Sequence, residues 1–437
     1  MGDPHNQAER KIGFWICTAL VVGNTIGIGI FVLPASLAPY GWNALLGWVV
    51  TAAGCLVLAW VIARLAKRMP LADGPYAYIR ESLGDFPAFV ALWSYWVSIW
   101  ITNAALATGV VGYLQAALPA LAGVPPSLLA LGLVWLFVAI NLSGVRAGGD
   151  VQVATTILKL LPLLAVIGLG AWVLLQPDSR QAIYVPAEPL DFGGTLAAST
   201  IALFAMLGLE SAAMPAAQVR DPERTIPRAT VAGTALVAAI CIAISATAML
   251  LLPQDELAKS SVPLSALMDR HTGHAASRTL ALFVVVSGLG ALNGWTLLAG
   301  EVTRSMAVQR ALPAWLARAN ARGVASAALW TTGGLASAMV LMSYSRSLVE
   351  GFTFLTKVVT AAALPLYLCC SLALLVLARR WKVSGALLAA LGAAYSVFAF
   401  IGLGSEPFWL ALLLTVAGLP LYFLLRRRAG NQGASTL

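Results

Sequence analysis

The sequence predicts an all-α integral membrane protein with twelve transmembrane helices. Its 437 residues are 60% hydrophobic and only 10% charged, whereas about 25% of the residues of soluble domains are charged. The apolar residues form twelve stretches close to the roughly 20 residues that a helix needs to cross the bilayer core. Lys and Arg are concentrated in alternate loops between these stretches. A water-soluble fold is therefore excluded.

The twelve stretches are separated by loops that carry charges or turn-forming residues. They cover residues 13–36, 43–63, 86–117, 127–145, 151–175, 193–216, 229–252, 279–303, 325–344, 351–378, 383–403 and 408–425. No linker or soluble domain of any size interrupts them. Residues 1–437 are thus predicted to be a single transmembrane domain.

The basic residues predict the orientation of this domain, because Lys and Arg in short loops favour the cytoplasmic side. With both termini cytoplasmic, Lys159 and Lys357 lie within spans and twenty of the 27 basic residues lie inside. The remaining five lie outside: Arg180, Lys259, Arg270, Arg278 and Arg346. The net charge of +9 is thus anchoring charge, with no basic and aromatic surface suited to nucleic acid. A bacterial cytoplasmic (inner) membrane is the predicted location.

Two interrupted helices organise the predicted domain. The first is broken by the glycines of residues 23–29 (GNTIGIG), and the second, five spans later, by residues 207–211 (LGLES). Because five is an odd number, the second group of five spans enters the membrane from the opposite side. The sequence therefore predicts an inverted repeat of 13–175 and 193–378, with helices 11 and 12 at 383–425 standing apart.

The first break has the chemistry of a carboxylate site. Gly23, Gly27 and Gly29 permit unwinding, and the half-helix that begins near Ile30 presents free N–H groups at a positive dipole end. An alternative interpretation is that Gly23 and Gly27, four residues apart, only permit close helix packing. The first break alone leaves both interpretations open.

The second break favours the ligand interpretation. Carbonyl groups freed around Phe204 and Leu207 can accept hydrogen bonds from an ammonium group. Paired broken segments of this kind are typical of transporters that bind substrate near the bilayer midplane. Together the two breaks suit a zwitterionic amino acid.

Three aromatic residues on three helices are candidates to enclose such a substrate: Phe204, Trp295 and Tyr95. They could cover it or hold a cationic side chain against their ring faces. Asn103 lies on the same helix as Tyr95 and is a further candidate. The alternative is that these residues are packing or interfacial residues, as most aromatic residues in membranes are.

Three ionisable residues fall within the predicted spans. A charged side chain within the bilayer is costly in free energy, so such residues are candidates for a functional role. Lys159 is about 13 Å deep at 1.5 Å per residue, and we expect its ammonium to bridge broken helix one and helix eight in place of a sodium ion. The alternative is that its long side chain extends to the interface. Glu210 is a candidate proton carrier, counter-charge or structural cap. Lys357 is near the outer end of its helix, so it can face the pocket or extend to the interface.

With these residues in hand, the chain resembles the amino acid-polyamine-organocation superfamily, and most closely its bacterial arginine/agmatine and related basic amino acid antiporters. The matching stretches are 23–34 (GNTIGIGIFVLP), 74–78 (GPYAY), 95–103 (YWVSIWITN), 203–227 (LFAMLGLESAAMPAAQVRDPERTIP) and 294–300 (GWTLLAG). The similarity extends over nearly the whole chain.

The resemblance implies a role for each matched residue. It implies that Thr25, Gly27, Ile28 and Gly29 bind the α-carboxylate and part of the ammonium, and that the carbonyls of Phe204 and Leu207 complete this site. By the same match Trp295 is the middle gate, Asn103 contacts the substrate side chain, Glu210 responds to pH and Tyr95 is an outer-gate partner.

Departures from the family pattern bear on the substrate. The arginine antiporters have tryptophan where Phe204 stands and serine where Ile28 and Val358 stand. Lys159 looks like the helix-five lysine of neutral amino acid exchangers in the superfamily, where it replaces sodium. These differences shift the expected substrate toward neutral amino acids.

The sequence thus predicts a sodium-independent secondary transporter that exchanges neutral L-amino acids by alternating access. The alternative is an antiporter of cationic amino acids or polyamines such as arginine or agmatine. A channel or an amino acid receptor is a rival of another class. An enzyme is disfavoured because the spans contain no histidine and no paired acids. The expected partners are the substrate and the lipid bilayer, with a homodimer as the candidate assembly and no cofactor or metal.

Overall fold

A computed structural model describes residues 13–69, 74–144, 149–177, 183–186, 188–212, 219–380 and 385–424. Both chain termini, which are predicted to be cytoplasmic, lie outside these residues. The described residues form α-helices, short 3-10 turns and connecting loops. The helices in chain order are α1 Phe14–Thr25, α2 Gly29–Leu37, α3 Trp42–Arg68, α4 Pro75–Leu83, α5 Asp85–Ala117, α6 Pro126–Leu142, α7 Gly149–Leu174, α8 Phe192–Leu203, α9 Pro222–Leu251, α10 Gln254–Lys259, α11 Pro263–Thr272, α12 His274–Val308, α13 Ser326–Met342, α14 Leu348–Arg380, α15 Ala386–Ile401 and α16 Ser405–Val416.

Seven helical segments in the described part are long and apolar enough to cross a membrane. The bent pair α1 and α2 passes the same test together, and four shorter apolar helices lie in α6, α7, α13 and α15. Each of the twelve predicted stretches coincides with one of these segments. The prediction of an all-α membrane protein is therefore confirmed, while the number of crossings, the repeat and the orientation stay predictions.

Three short helices occupy segments that the sequence predicts as loops. They are α4, α10 and α11, with six to ten residues each. In α4 and α11 a proline stands in the first helical turn, where its fixed φ suits a helix start and its missing N–H costs nothing. They are polar rather than uniformly apolar, and a search for long apolar stretches therefore misses them.

The long helix α5 is the centre of the fold. Its most apolar stretch is 94% buried, whereas that of the final helical segment is only 17% buried. It packs against α12 and α14. A Cβ at Gly109 would lie 2.9 Å from atoms of Ile28 and Phe352, so glycine permits α2 and α14 to approach α5 closely. Helix α5 thus forms a closely packed boundary of the space between the broken helices.

One end of the bundle is closed by hydrogen bonds around α2. The Tyr113 hydroxyl donates to the Phe31 carbonyl over 2.8 Å, and Thr353 Oγ1 donates to Ser36 Oγ over 2.6 Å. The Gln254 amide donates to the Ala38 carbonyl over 2.9 Å. These bonds tie α2 and the turn after it to α5, α14 and α10. This is the end that the charge pattern predicts to be outside.

Candidate functional site

The first break separates α1 from α2 at residues 26–28. Ile26 leaves the helical conformation with φ −77° and ψ 94°, and the two helical segments are bent by 45°. The last carbonyls of α1 and the first amides of α2 have no partner within their helices. These helix ends carry partial negative and positive charge, respectively. The break therefore presents a side that suits a cation and a side that suits a carboxylate.

The second break follows α8 and lies against the first. Residues Phe204–Met206 form a 3-10 turn, Leu207 is extended, and Gly208 has a φ of +103° that favours glycine. A Cβ at Gly208 would lie 3.4 Å from the carbonyl carbon and oxygen of Asn24. The exposed backbone groups of the two breaks thus face one small volume.

A cavity of about 20 Å³ occupies this volume, and we call it the central cavity. It has room for about one water molecule. A Cβ at Gly29 would lie 2.9 Å from Phe204 Cε1, so the aromatic ring fits only because residue 29 is glycine. None of the described residues that line the cavity is charged. They are Asn24, Thr25, Gly27, Gly29, Thr102, Leu106, Phe204, Ala205, Leu207 and Trp295.

Six of the nine residues predicted to contact substrate line the central cavity. They are Thr25, Gly27, Gly29, Phe204, Leu207 and Trp295. The Thr25 side chain has a particular property, because its hydroxyl is buried and no described residue forms a hydrogen bond with it. Thr102 and Leu106 also line the cavity from α5, and the sequence interpretation missed both.

The other three predicted residues do not line the central cavity. Ile28 is fully buried, and its side chain packs where Cβ atoms at Gly109 and Gly288 would lie 2.9 and 3.2 Å from it. Asn103 accepts a hydrogen bond of 3.4 Å from Thr296 Oγ1. Val358 is fully buried within α14. In this structure the side chains of these three residues do not line the space in which a ligand of the central cavity would lie.

Lys159 supports the end of α1. Its Nζ donates to the Gly23 carbonyl over 2.9 Å, and the residue is 4% exposed. The Gly23 carbonyl belongs to the last turn of α1, where a cation complements the helix dipole. The predicted contact with broken helix one is therefore present. No described residue of α12, which corresponds to predicted helix eight, bonds to this ammonium. The lysine does not extend to the surface.

Glu210 belongs to the second break and binds two tyrosines. The Tyr95 hydroxyl donates to Glu210 Oε1 over 2.6 Å, and the Tyr367 hydroxyl donates to Oε2 over 2.7 Å. Glu210 is completely buried. We call these three residues the Glu210 cluster, and it joins the second break to α5 and α14. The sequence interpretation missed Tyr367.

A larger opening, the vestibule, begins beside Tyr95. Its volume is about 830 Å³, and its walls include Arg80 of α4, Asp85 of α5 and Arg310 after α12. The charge pattern predicts this end of the bundle to be cytoplasmic. Tyr95 therefore lies toward the end that is predicted to be cytoplasmic, and its role as an outer-gate partner stays a prediction.

Lys357, the last of the predicted residues, is half-buried on α14 and does not line the central cavity. No group of three His, Cys, Asp or Glu side chains in the described part of the chain is placed to hold a metal ion. The central cavity thus offers backbone groups, hydroxyls and aromatic rings, which suit an organic molecule with a carboxylate and an ammonium.

Similarities to known proteins agree with this geometry. The profile of a family described as amino acid permease matches residues 12–418. A protein of Bacillus subtilis with the provisional name arginine/ornithine antiporter is 31% identical over 90% of this chain and 92% of its own. The arginine/ornithine antiporter of Pseudomonas aeruginosa is 30% identical over 75% of this chain and 70% of its own. The cadaverine/lysine antiporter of Escherichia coli is 32% identical over 67% and 66%, respectively.

Proposed function

Because this chain belongs to the amino acid permease family, we propose that it is a secondary transporter that exchanges cationic amino acids or related amines by alternating access. The observation that carries this proposal is the central cavity between two helix breaks that face each other. The bacterial cytoplasmic membrane is its proposed location. Its substrate is a small molecule, and the proposed activity requires no cofactor.

The backbone end of the substrate is held by the breaks after they move apart, because the cavity of about 20 Å³ in this conformation has room for only about one water molecule. Its carboxylate lies at the first amides of α2, where the helix dipole is positive, with Gly27 and Gly29 leaving room for it. Its ammonium lies near the carbonyls that end α1 and those of the second break. Binding through backbone groups is independent of the substrate side chain, so these contacts serve any α-amino acid.

A cationic side chain is the proposed discriminating feature. The named relatives exchange arginine, ornithine, lysine or cadaverine, so they support cationic substrates over the neutral ones that Lys159 suggested. The rings of Phe204 and Trp295 line the cavity and can attract a cation through their faces. A second candidate, exchange of neutral L-amino acids, is favoured by the absence of a carboxylate among the described lining residues.

The position of Lys159 supports the proposed sodium independence. Its ammonium already donates a hydrogen bond to the Gly23 carbonyl at the end of α1. A sodium ion would otherwise neutralise the partial negative charge at this helix end. We propose that this contact couples the tilt of α1 to α7. Transport that requires sodium would contradict this assignment.

The alternating-access cycle uses the two ends of the bundle differently. The hydrogen bonds of Tyr113 and Thr353 hold the outer end closed, and the vestibule admits substrate from the cytoplasm. The Glu210 cluster is the proposed inner gate, which must open before the vestibule and the central cavity connect. We propose that the charges of the Lys357 and Glu210 side chains influence the alternating-access cycle.

The proposed topology has twelve crossings with both termini cytoplasmic. It contains inverted repeats of 13–175 and 193–378, followed by helices 11 and 12. Cysteine introduced at Ser82 should react with an impermeant thiol reagent only from the cytoplasmic side, and labelling from outside would contradict the topology. Assembly as a homodimer stays a prediction.

Exchange in proteoliposomes tests the proposed function. Vesicles loaded with unlabelled arginine should take up labelled arginine or ornithine without sodium, and unloaded vesicles should not. Leucine should fail to compete. Competition by leucine but not arginine would favour the neutral alternative, and the absence of exchange with any amino acid or amine would refute the proposal.

Two glycine variants provide matched controls. Gly29→Val should abolish exchange, because its added side chain must enter space held by the Phe204 ring. Gly132→Val places the same side chain on α6, where a Cβ meets nothing within 4 Å. This second variant should exchange as the wild type does, so a shared defect would point to a general loss of helix stability.

A further inference from the structure

The vestibule has the features of a second binding site in addition to those of a passage. Its volume of about 830 Å³ is far larger than the central cavity. Aromatic rings from α4, α5 and the last helical segment line it, and Phe89 and Tyr422 have ring centroids 4.9 Å apart. Tyr76 and Tyr95 add two further rings. Rings gathered in a concave, partly polar space are typical of small-molecule sites.

An ion pair lies among these rings. Arg80 Nε donates to Asp85 Oδ1 over 2.8 Å, and the two side chains are 61% and 59% exposed. An exposed ion pair adds little net stabilisation. A ligand that offers a new partner of opposite charge to each side chain can therefore separate the pair at a small cost in free energy. A zwitterion does this, because its ammonium can pair with Asp85 while its carboxylate pairs with Arg80.

The same pair discriminates amino acids from diamines. A diamine that binds Asp85 leaves the Arg80 guanidinium without its carboxylate partner and repels it. The charges at this end therefore favour a ligand with a carboxylate, and the aromatic rings can accept a cationic side chain.

This location is separate from the central cavity. Tyr95 of the vestibule and Thr102 of the cavity are seven residues apart on α5, and Val302 and Trp295 are seven apart on α12. Seven residues span about 10 Å of helix. Tyr95 lines the vestibule, and its hydroxyl bonds to Glu210, which follows Leu207 of the central cavity on the same break, so a molecule in the vestibule lies beside the closed inner gate.

We propose that the vestibule is a second substrate site that binds a cationic α-amino acid from the cytoplasm, in preference to a diamine, before the Glu210 cluster opens. The proposal rests on the proposed function as an exchanger. It narrows the cytoplasmic substrate from amino acids and amines to amino acids.

Binding stoichiometry tests the proposal. Purified protein should bind two labelled arginine molecules per chain at saturation in equilibrium dialysis. Gly29→Val should remove the central site, and the double variant R80Q with D85N should remove the vestibule site, each leaving one molecule bound. The molecule that remains bound to each variant shows that the variant is folded. Putrescine should displace arginine from the double variant much better than from Gly29→Val.

Kinetics from the cytoplasmic face provide a second readout. In inside-out vesicles the R80Q and D85N double variant should raise KM for arginine by about fivefold and leave kcat unchanged. The matched control is R270Q with E256Q, which removes an exposed pair of 2.9 Å at the opposite end and should leave this KM unchanged.

Two results would overturn the proposal: a single arginine site in the wild type, or two sites that persist in the R80Q and D85N double variant. Equal displacement by putrescine at both sites would overturn the preference for amino acids. Exchange with a single binding site would refute the vestibule site alone, whereas two binding sites without exchange would refute the proposed function alone.

Discussion

The two helix breaks are held by charges of opposite sign. At the first break, a positive side chain from another helix, Lys159 of α7, reaches a backbone carbonyl of α1. At the second break, a negative side chain of the break itself, Glu210, receives bonds from tyrosines of α5 and α14. The first break thus receives one external contact, whereas the second extends two contacts to neighbouring helices.

This difference assigns different mechanical roles to the breaks. Movement of α1 at Gly23 requires the loss or lengthening of one ammonium contact. Movement of the second break requires two buried phenol groups to give up a common carboxylate, and buried polar groups without partners are costly. We therefore expect the second break to be the harder one to open, and substitutions at the two breaks should differ in size.

The largest effect is expected for Glu210→Leu. It leaves the hydroxyls of Tyr95 and Tyr367 buried without their acceptor, at about 1–3 kcal/mol each, so the free energy of unfolding should fall by about 3 kcal/mol. Thermal unfolding in detergent measures it. Glu210→Gln keeps one carbonyl acceptor and should lose less than half as much. Equal stability of Glu210→Leu and the wild type would contradict the role of this carboxylate.

A smaller effect is expected for Lys159→Met. One carbonyl, that of Gly23, loses its partner, which should cost about 1 kcal/mol of unfolding free energy and slow arginine exchange. Lys357→Met is the matched control for stability, because Lys357 is half-buried and bonds to no described carbonyl. If both variants lose the same stability, the Lys159 contact has no special role at the first break.

The smallest effect on stability is expected for Thr25→Val. Thr25 lines the central cavity and its buried hydroxyl has no partner among the described residues, so removal of the hydroxyl should leave the empty protein as stable as before. Arginine affinity should fall about fivefold, the value of one neutral hydrogen bond, and Thr25→Ser should restore it. Thr230→Val is the control, because its hydroxyl is also buried without a described partner but lies outside the cavity. Unchanged affinity in Thr25→Val would remove this hydroxyl from the site.

The glycine patterns predicted both breaks because unwinding depends on local sequence. Tyr367, which donates a hydrogen bond to the Glu210 carboxylate, was missed because it stands 157 residues from Glu210. Only tertiary packing brings the two residues together. The resemblance assigns Ile28 to the backbone end of the substrate, and that assignment stays a prediction. The direction of its side chain could not be predicted, because an unwound segment has no helical period from which it follows. The side chain fills the space beside Gly109.

The predicted substrate preference relied on Lys159 and on the departures from the family pattern at Ile28, Phe204 and Val358. Lys159 suggested neutral amino acids, but its bond to Gly23 is a support for α1 and lies outside the described lining of the central cavity. A residue that stabilises the scaffold carries little information about the substrate side chain. The long apolar helices were predictable because hydrophobic length alone determines them, whereas the vestibule required the positions of α4, α5 and α12 together.

The small volume of the central cavity has a consequence for the electrical insulation of the cell. A membrane potential of 100 mV exerts about 2.3 kcal/mol on each elementary charge that crosses, and a continuous file of water through the protein would let protons follow that force. The volume of about 20 Å³ between the two breaks holds a single water, and the Glu210 cluster stays bonded beside the vestibule. The empty carrier therefore interrupts such a file and preserves the potential while it waits for substrate.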